Sequence, residues 1–146
     1  MSVIAFDGKI IAADKQATNN GLKVACTKLM RHNTSFNGTQ CIIGWTGSID
    51  GGLMLQDWYL AGAKKDDWPK FQSTDDWVRL IVFDVELFFY ETLPVKMRIE
   101  HPFMAWGHGR SFAMGAMAAG KNAIEAVEIA SCLCDSCGCG VTWFSV

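Results

Sequence analysis

Short apolar runs separated by glycine and asparagine turn signals fill the first third of the chain. Val3 to Phe6 and Lys9 to Ala13 flank Asp7-Gly8, a two-residue signal for a type I′ hairpin. In that register Phe6 faces Lys9, Ile4 faces Ile11 and Ser2 faces Ala13, with Asp14 one step past the partner of Ser2. Asn19-Asn20-Gly21 marks the next turn, and Leu22 to Ala25 and Lys28 to Arg31 read as further short strands before a polar loop through Gly38. Cys41 to Trp45 has the continuous apolar pattern of a buried strand. Ser48 then caps a predicted helix running to about Lys64, with Ile49, Leu53 and Leu60, then Met54, Trp58 and Ala61, at helical spacings.

Asp66 to Asp76 is polar and reads as a loop with one helical turn. Val78 to Phe83 and Leu87 to Tyr90 predict a hairpin across Asp84-Val85-Glu86, with a further strand near Val95 to Ile99 and another at Phe103 to Trp106. Gly107-His108-Gly109 opens a helix over Ser111 to Ala119, rich enough in Ala, Gly and Met to predict close packing on all sides. Gly120 ends it, and Asn122 with Glu125 three residues on signals the cap of a second helix, Ala123 to about Cys132. Val141 to Val146 is a closing strand. No repeat or linker interrupts the chain, so a single domain over 1–146 is expected.

Composition narrows the classes. The 146 residues are 50% hydrophobic and 19% charged, which is the balance of a folding chain rather than a disordered one. With a net charge of −2 and no cluster of Lys and Arg beyond pairs such as Lys64-Lys65, nucleic-acid binding is not expected. No signal-peptide pattern opens the sequence, and no apolar run approaches the ~20 residues of a membrane span, so a cytoplasmic, membrane-free protein is expected. The sequons at Asn33 and Asn37 are then chance matches, and the six cysteines are thiols.

Three stretches carry candidate chemistry. The first is the chain start. A serine hydroxyl needs a base beside it, and if Met1 is removed the α-amine of Ser2, with a reference pKa of ~7.7 to 8.0, becomes that base within the same residue. A nearby cation favours the neutral amine, and Lys28, balanced by Asp14, is the candidate. The second is CLCDSCGCG, where Cys132, Cys134, Cys137 and Cys139 place four thiols in one short segment. Zinc or Cu(I) binding is conceivable there, but a structural zinc site usually draws pairs from separated segments, so no metal is assigned. The third is Gly107-His108-Gly109, which follows a strand and opens a helix as a phosphate loop does. Phe112 replaces the third glycine and no Gly-Lys-Ser/Thr follows, so the stretch reads as a tight turn.

The segments IIAADKQAT, CIIGWTGSIDGG and AWGHGRSFAMGAMAAGKNAIEAVEIA, with Ser2 ahead of them, resemble in order the proteasome β-subunit and HslV-type peptidases of the N-terminal-nucleophile hydrolases, and look closest to a short, phage-type branch. The resemblance implies an α+β fold, a four-layer αββα sandwich. It implies that Ser2 stands for the usual threonine nucleophile, Asp14 for the orienting aspartate, Lys28 for the lysine near the nucleophile, and Gly47 for the glycine whose N–H stabilises the oxyanion. Asp135 and Ser136 are loosely aligned counterparts of an aspartate and serine close to the active site. His108 replaces the serine of the family's Gly-Ser-Gly turn. It serves as a hydrogen-bonding substitute, as an extra base, as a mark of lost activity, or as an exposed histidine in a tight turn. The strand after the last helix is a single one, so part of the family's C-terminal sheet is expected to be missing.

The implied activity is hydrolysis of peptide bonds without metal or organic cofactor, by a homo-oligomeric ring acting on peptides or unfolded proteins, with an ATPase unfoldase as a possible partner. Two other readings stay open: an amidohydrolase of the same superfamily acting on a small amide, and an inactive structural or binding module with a metal at the cysteine cluster.

Overall fold

Eleven strands and three α-helices appear in the computed structural model, which describes residues 2–34, 38–71 and 78–146. They fall into two compact units, one formed by the chain up to Leu29 together with Glu100–Val146, the other by Met30–Ile99. The first unit holds a four-stranded antiparallel sheet in the order β10 (Met104–Gly107), β1 (Val3–Phe6), β2 (Ile10–Asp14), β11 (Val141–Ser145). A separate hairpin, β3 (Gln16–Asn19) with β4 (Leu22–Ala25), turns at Asn20 and Gly21, both at positive φ as a type I′ turn demands. The helices α2 (Arg110–Ala118) and α3 (Ala123–Leu133) pack on each other and on the sheet. Val3, Ala5 and Ala12 of the strands meet Ala113, Ala116, Met117, Ala126, Val127 and Ala130 of the helices in one core.

The first hairpin forms where the sequence puts it but in another register. Ile4 pairs with Ala13, Ala5 with Ala12 and Phe6 with Ile11, so the turn is two residues longer than a type I′ loop. Asp7 causes this: its Oδ1 accepts the N–H groups of Lys9 (2.9 Å) and Ile10 (2.8 Å), closing a wider turn on its own side chain. Its Oδ2 accepts the Ala123 N–H at 2.8 Å, tying the turn to the first turn of α3. Because the shift is two residues rather than one, every side chain keeps its expected face. Asp14 now lies opposite Val3 instead of beyond Ser2.

The start of α3 follows the sequence closely. Asn122 Oδ1 accepts the Glu125 N–H and the Glu125 carboxylate accepts the Asn122 N–H, a complete capping box. α2 departs from expectation: Ser111, Phe112, Gly115 and Ala118 are exposed, and a side chain at Gly115 would meet nothing. Small residues set how closely a helix approaches a neighbour, but not how many neighbours it has. α2 has its neighbours, α3, β10 and β1, on one side.

The second unit is a five-stranded sheet ordered β5 (Leu29–Asn33), β6 (Gln40–Thr46), β7 (Arg79–Phe83), β8 (Leu87–Tyr90), β9 (Met97–Arg98), with α1 (Ile49–Leu60) against β6 and β7. Ser48 caps α1 by accepting the Gly51 N–H at 3.2 Å. The helix stops at Leu60, four residues short of expectation, because Gly62 and Ala63 take positive φ. Its buried face is Gly51, Gly52, Leu55, Gln56, Trp58 and Tyr59, while Leu53 and Met54 are exposed. Of the expected apolar positions only Trp58 is buried. The glycines decide the face: Gly52 lies so close over the Trp45 ring of β6 that a Cβ would overlap it. Trp58 and Tyr59 then join Trp68, Phe88 and Tyr90 in an aromatic cluster. Lys65–Asp67 forms one short 3₁₀ turn in the polar stretch after α1, and the part of that stretch from residue 72 lies outside the described residues, as does Asn37.

Gly52→Ala is expected to lower stability by about 1–3 kcal/mol, the cost of overpacking a fitted core. An unchanged midpoint in thermal or urea unfolding would show that Trp45 moves aside freely.

Candidate functional site

The chain start is wrapped by the turn before α2. Val3 pairs with Gly107, and the Gly109 N–H donates to the Ser2 carbonyl at 3.3 Å. Gly107 has φ +93° and a Cβ on it would strike that same carbonyl. Gly109 is equally confined, since a Cβ there would come within 2.9 Å of Cys137 Sγ and 3.0 Å of Val3 Cβ. Gly107-His108-Gly109 is therefore a tight turn, built to let two backbones touch. Ser2 is fully buried, and its Oγ has no hydrogen-bond partner among the described residues.

Asp14 ends β2 with its carboxylate completely buried and surrounded by donors. Oδ1 accepts the Val3 N–H and the Lys28 ammonium, each at 2.9 Å. Oδ2 accepts the N–H groups of Gln16 and Gly138, each at 3.1 Å. Lys28, 2% exposed, donates a second hydrogen bond to the Gln16 carbonyl at 2.6 Å. Charges this deeply buried are tolerated only when paired and hydrogen-bonded, and these are both. The Val3 N–H ties Asp14 to the residue next to Ser2, so the ion pair is anchored to the chain start through the backbone.

The other expected residues are distributed as follows. His108 is exposed, with no hydrogen bond to Ser2 among the described residues. Asp135 is exposed and contributes its backbone carbonyl, which accepts the Gln16 side-chain amide at 2.8 Å. Ser136 is half-buried in the same turn. Gly47 belongs to the second unit, where it takes φ +102° between β6 and the Ser48 cap. Two residues that the sequence analysis did not single out, Gln16 and Gly138, contact Asp14 directly. Gln16 lay two positions beyond Asp14, the strand spacing that returns to the same face, whereas Gly138 carried no local signal.

All six cysteines are free thiols. Cys132 and Cys139 are exposed, while Cys137 is buried against the turn at Gly109. Among the described residues no group of three or more His, Cys, Asp or Glu side chains is gathered as a metal site. Burial pushes the Cys137 thiol from its ordinary 9.0 up to about 12, with the negative charge of Asp14 adding to the effect. No helix among the described residues is long and apolar enough to cross a membrane.

No protein-family model matches the sequence, and no curated protein matches it significantly. Solved structures do. A Thiobacillus denitrificans protein, BPH, solved in complex with epoxomicin, is 19% identical over 100% of this chain and 98% of its own, with a TM-score of 0.73. Eukaryotic HslV from Trypanosoma brucei is 19% identical over 99% of this chain and 97% of its own, at 0.69. A Gly-1 mutant of Anbu from Hyphomicrobium sp. strain MC1 is 11% identical over 99% of this chain and 80% of its own, also at 0.69. The fold is thus the α+β fold of HslV, as the sequence resemblance implied.

Removing Asp14 strands the Lys28 ammonium with one carbonyl, whereas removing Lys28 leaves Asp14 three N–H donors. Asp14→Ala is therefore expected to cost about 3–5 kcal/mol in urea unfolding and Lys28→Met less. Equal costs would contradict the described donor set. Alkylation needs the thiolate, so iodoacetamide at pH 8 is expected to label Cys132 and Cys139 and to spare Cys137. The raised Cys137 value favours the folded state's neutral thiol. Its contribution is intact below the unfolded thiol range and is lost as pH climbs toward about 12. Labelling of Cys137 in the folded protein at pH 8, read by peptide mass, would refute its assigned environment.

Proposed function

We propose that this chain is a single-domain N-terminal-nucleophile peptidase of the HslV and proteasome type, with Ser2 as nucleophile once Met1 is removed. The observation that carries the reading is Ser2 Oγ, buried without a partner among the described residues, beside a strand start that is bonded to a buried, hydrogen-bonded Asp14–Lys28 pair. An unpartnered buried hydroxyl is costly to maintain, and a catalytic role that keeps it free to react is one physical reason for it.

In the mechanism, Ser2 Oγ attacks the carbonyl carbon of a peptide bond while its proton passes to the Ser2 α-amine. The C–N bond then breaks, the departing amine takes that proton, and an ester to Ser2 remains. Water attacks the ester with the α-amine again as base, which returns the free hydroxyl and the carboxylic acid product. Lys28, held by Asp14, biases the α-amine toward its neutral form through like-charge repulsion. The Gly47 N–H, at the entry to α1, stabilises the oxyanion. Asp135, Ser136 and His108 are assigned supporting roles around the nucleophile. Peptides or unfolded chains are the substrate class, self-assembly into a homo-oligomeric ring restricts access to the site, an ATPase unfoldase is the candidate partner, and the cytoplasm is the compartment.

The test is the intact mass of the purified protein before and after a peptide epoxyketone. The expected outcome is loss of Met1 and one adduct mapping to Ser2. Ser2→Ala is expected to abolish the adduct and to lower peptide hydrolysis by about 10³-fold or more, and Ser2→Thr to preserve both. Retained Met1 with no adduct would overturn the reading.

A further inference from the structure

We propose that Gln16 is a positioning residue that sets the hydrogen-bonding of Asp14 by clamping the segment between α3 and β11. This rests on the peptidase reading above, in which Asp14 holds Lys28.

Gln16 is 2% exposed and is engaged through its backbone N–H, its backbone carbonyl and its side-chain Nε2. Its N–H donates to Asp14 Oδ2, its carbonyl accepts from Lys28, and its Nε2 donates to the Asp135 carbonyl. The backbone of Gln16 therefore touches both members of the ion pair, while its side chain reaches a segment more than a hundred residues away. That segment supplies the last donor to Asp14, the Gly138 N–H.

The segment from Cys134 to Gly140 is held at two ends. At the far end the Lys15 N–H donates to the carbonyls of Gly138 (3.0 Å) and Gly140 (3.1 Å). At the near end the Gln16 amide holds the Asp135 carbonyl. Gly138 carries one of the far-end carbonyls and has φ +155°, and a Cβ on it would fall 2.9 Å from Gln16 Oε1. The side chain of Gln16 thus lies directly against the backbone it orients. An amide is the group this position calls for: it is neutral beside a buried ion pair, and its NH₂ donates where the segment presents a carbonyl. The Cys137 N–H to the Cys134 carbonyl closes a turn within the segment and does not itself reach Asp14, whereas the Gln16 amide ties the segment to the residue that bonds Asp14.

Two measurements decide the matter, each on the full chain with Gln16→Met, which keeps volume without the amide, and Gln16→His, which restores a ring N–H donor at similar reach. The first is inactivation by a peptide epoxyketone. Gln16→Met is expected to lower the limiting inactivation rate about tenfold, the scale of one lost hydrogen bond, with the half-saturating inhibitor concentration unchanged. Gln16→His should recover most of it. The second is amide hydrogen exchange at Gly138, expected to be at least about tenfold faster in Gln16→Met than in the parent chain, whatever the activity. An unchanged inactivation rate in an active parent, an effect confined to inhibitor affinity, a Gln16→His variant as slow as Gln16→Met, or unaltered Gly138 protection would each overturn the proposal. If the parent forms no adduct, the peptidase reading fails, and Gly138 exchange alone still decides what Gln16 holds.

Discussion

A carboxylate and an ammonium can be buried side by side only when nearly every lone pair and proton has a partner, because each ion has lost its hydration. Asp14 and Lys28 meet that condition by drawing donors and acceptors from four places in the chain: the start of β1, the start of β3, the segment before β11, and each other. The surrounding architecture serves this requirement. The wide turn at Asp7 sets the register that brings Asp14 opposite Val3, and the break at Lys15 lets the backbone of Gln16 face both charges.

Glycine is the second recurring device, and it acts through proximity. Gly107 and Gly109 let the turn before α2 lie on the backbone of Ser2, and Gly138 admits the Gln16 side chain against the Asp14 donor. Gly52 performs the same service in the other unit by seating α1 on Trp45. A side chain would meet backbone at Gly107, a ring at Gly52 and neighbouring side chains at Gly109 and Gly138, so the close approaches are fixed by absence of atoms rather than by attraction.

The cysteine-rich segment gains meaning from this arrangement. Its four thiols do not gather at one point: Cys132 and Cys139 face solvent, while Cys137 packs inward against Gly109, next to Cys134, with its proton firmly held. The segment works through its backbone, with carbonyls for Lys15 and Gln16 and an N–H for Asp14. Cys137 acts as a small apolar side chain that presses this backbone into place.

The sequence by itself determined whatever is settled within a few residues. The Asn20-Gly21 and Asp84–Glu86 turns, the Ser48 cap and the Asn122–Glu125 capping box all formed where local chemistry puts them, since the partners are near neighbours and no distant contact competes. The family resemblance further indicated the fold, and pointed to Ser2, Asp14 and Lys28. Tertiary structure decided what depends on distant partners. The first hairpin's register answered to an Asp7 carboxylate that also receives the Ala123 N–H, the buried face of α1 answered to the Trp45 ring under Gly52, and α2 kept an exposed side despite its small residues. Above all, the donors to Asp14 come from positions as far apart as Val3 and Gly138. Periodicity and spacing cannot express such a meeting, because it exists only once the strands and the segment before β11 have been folded together.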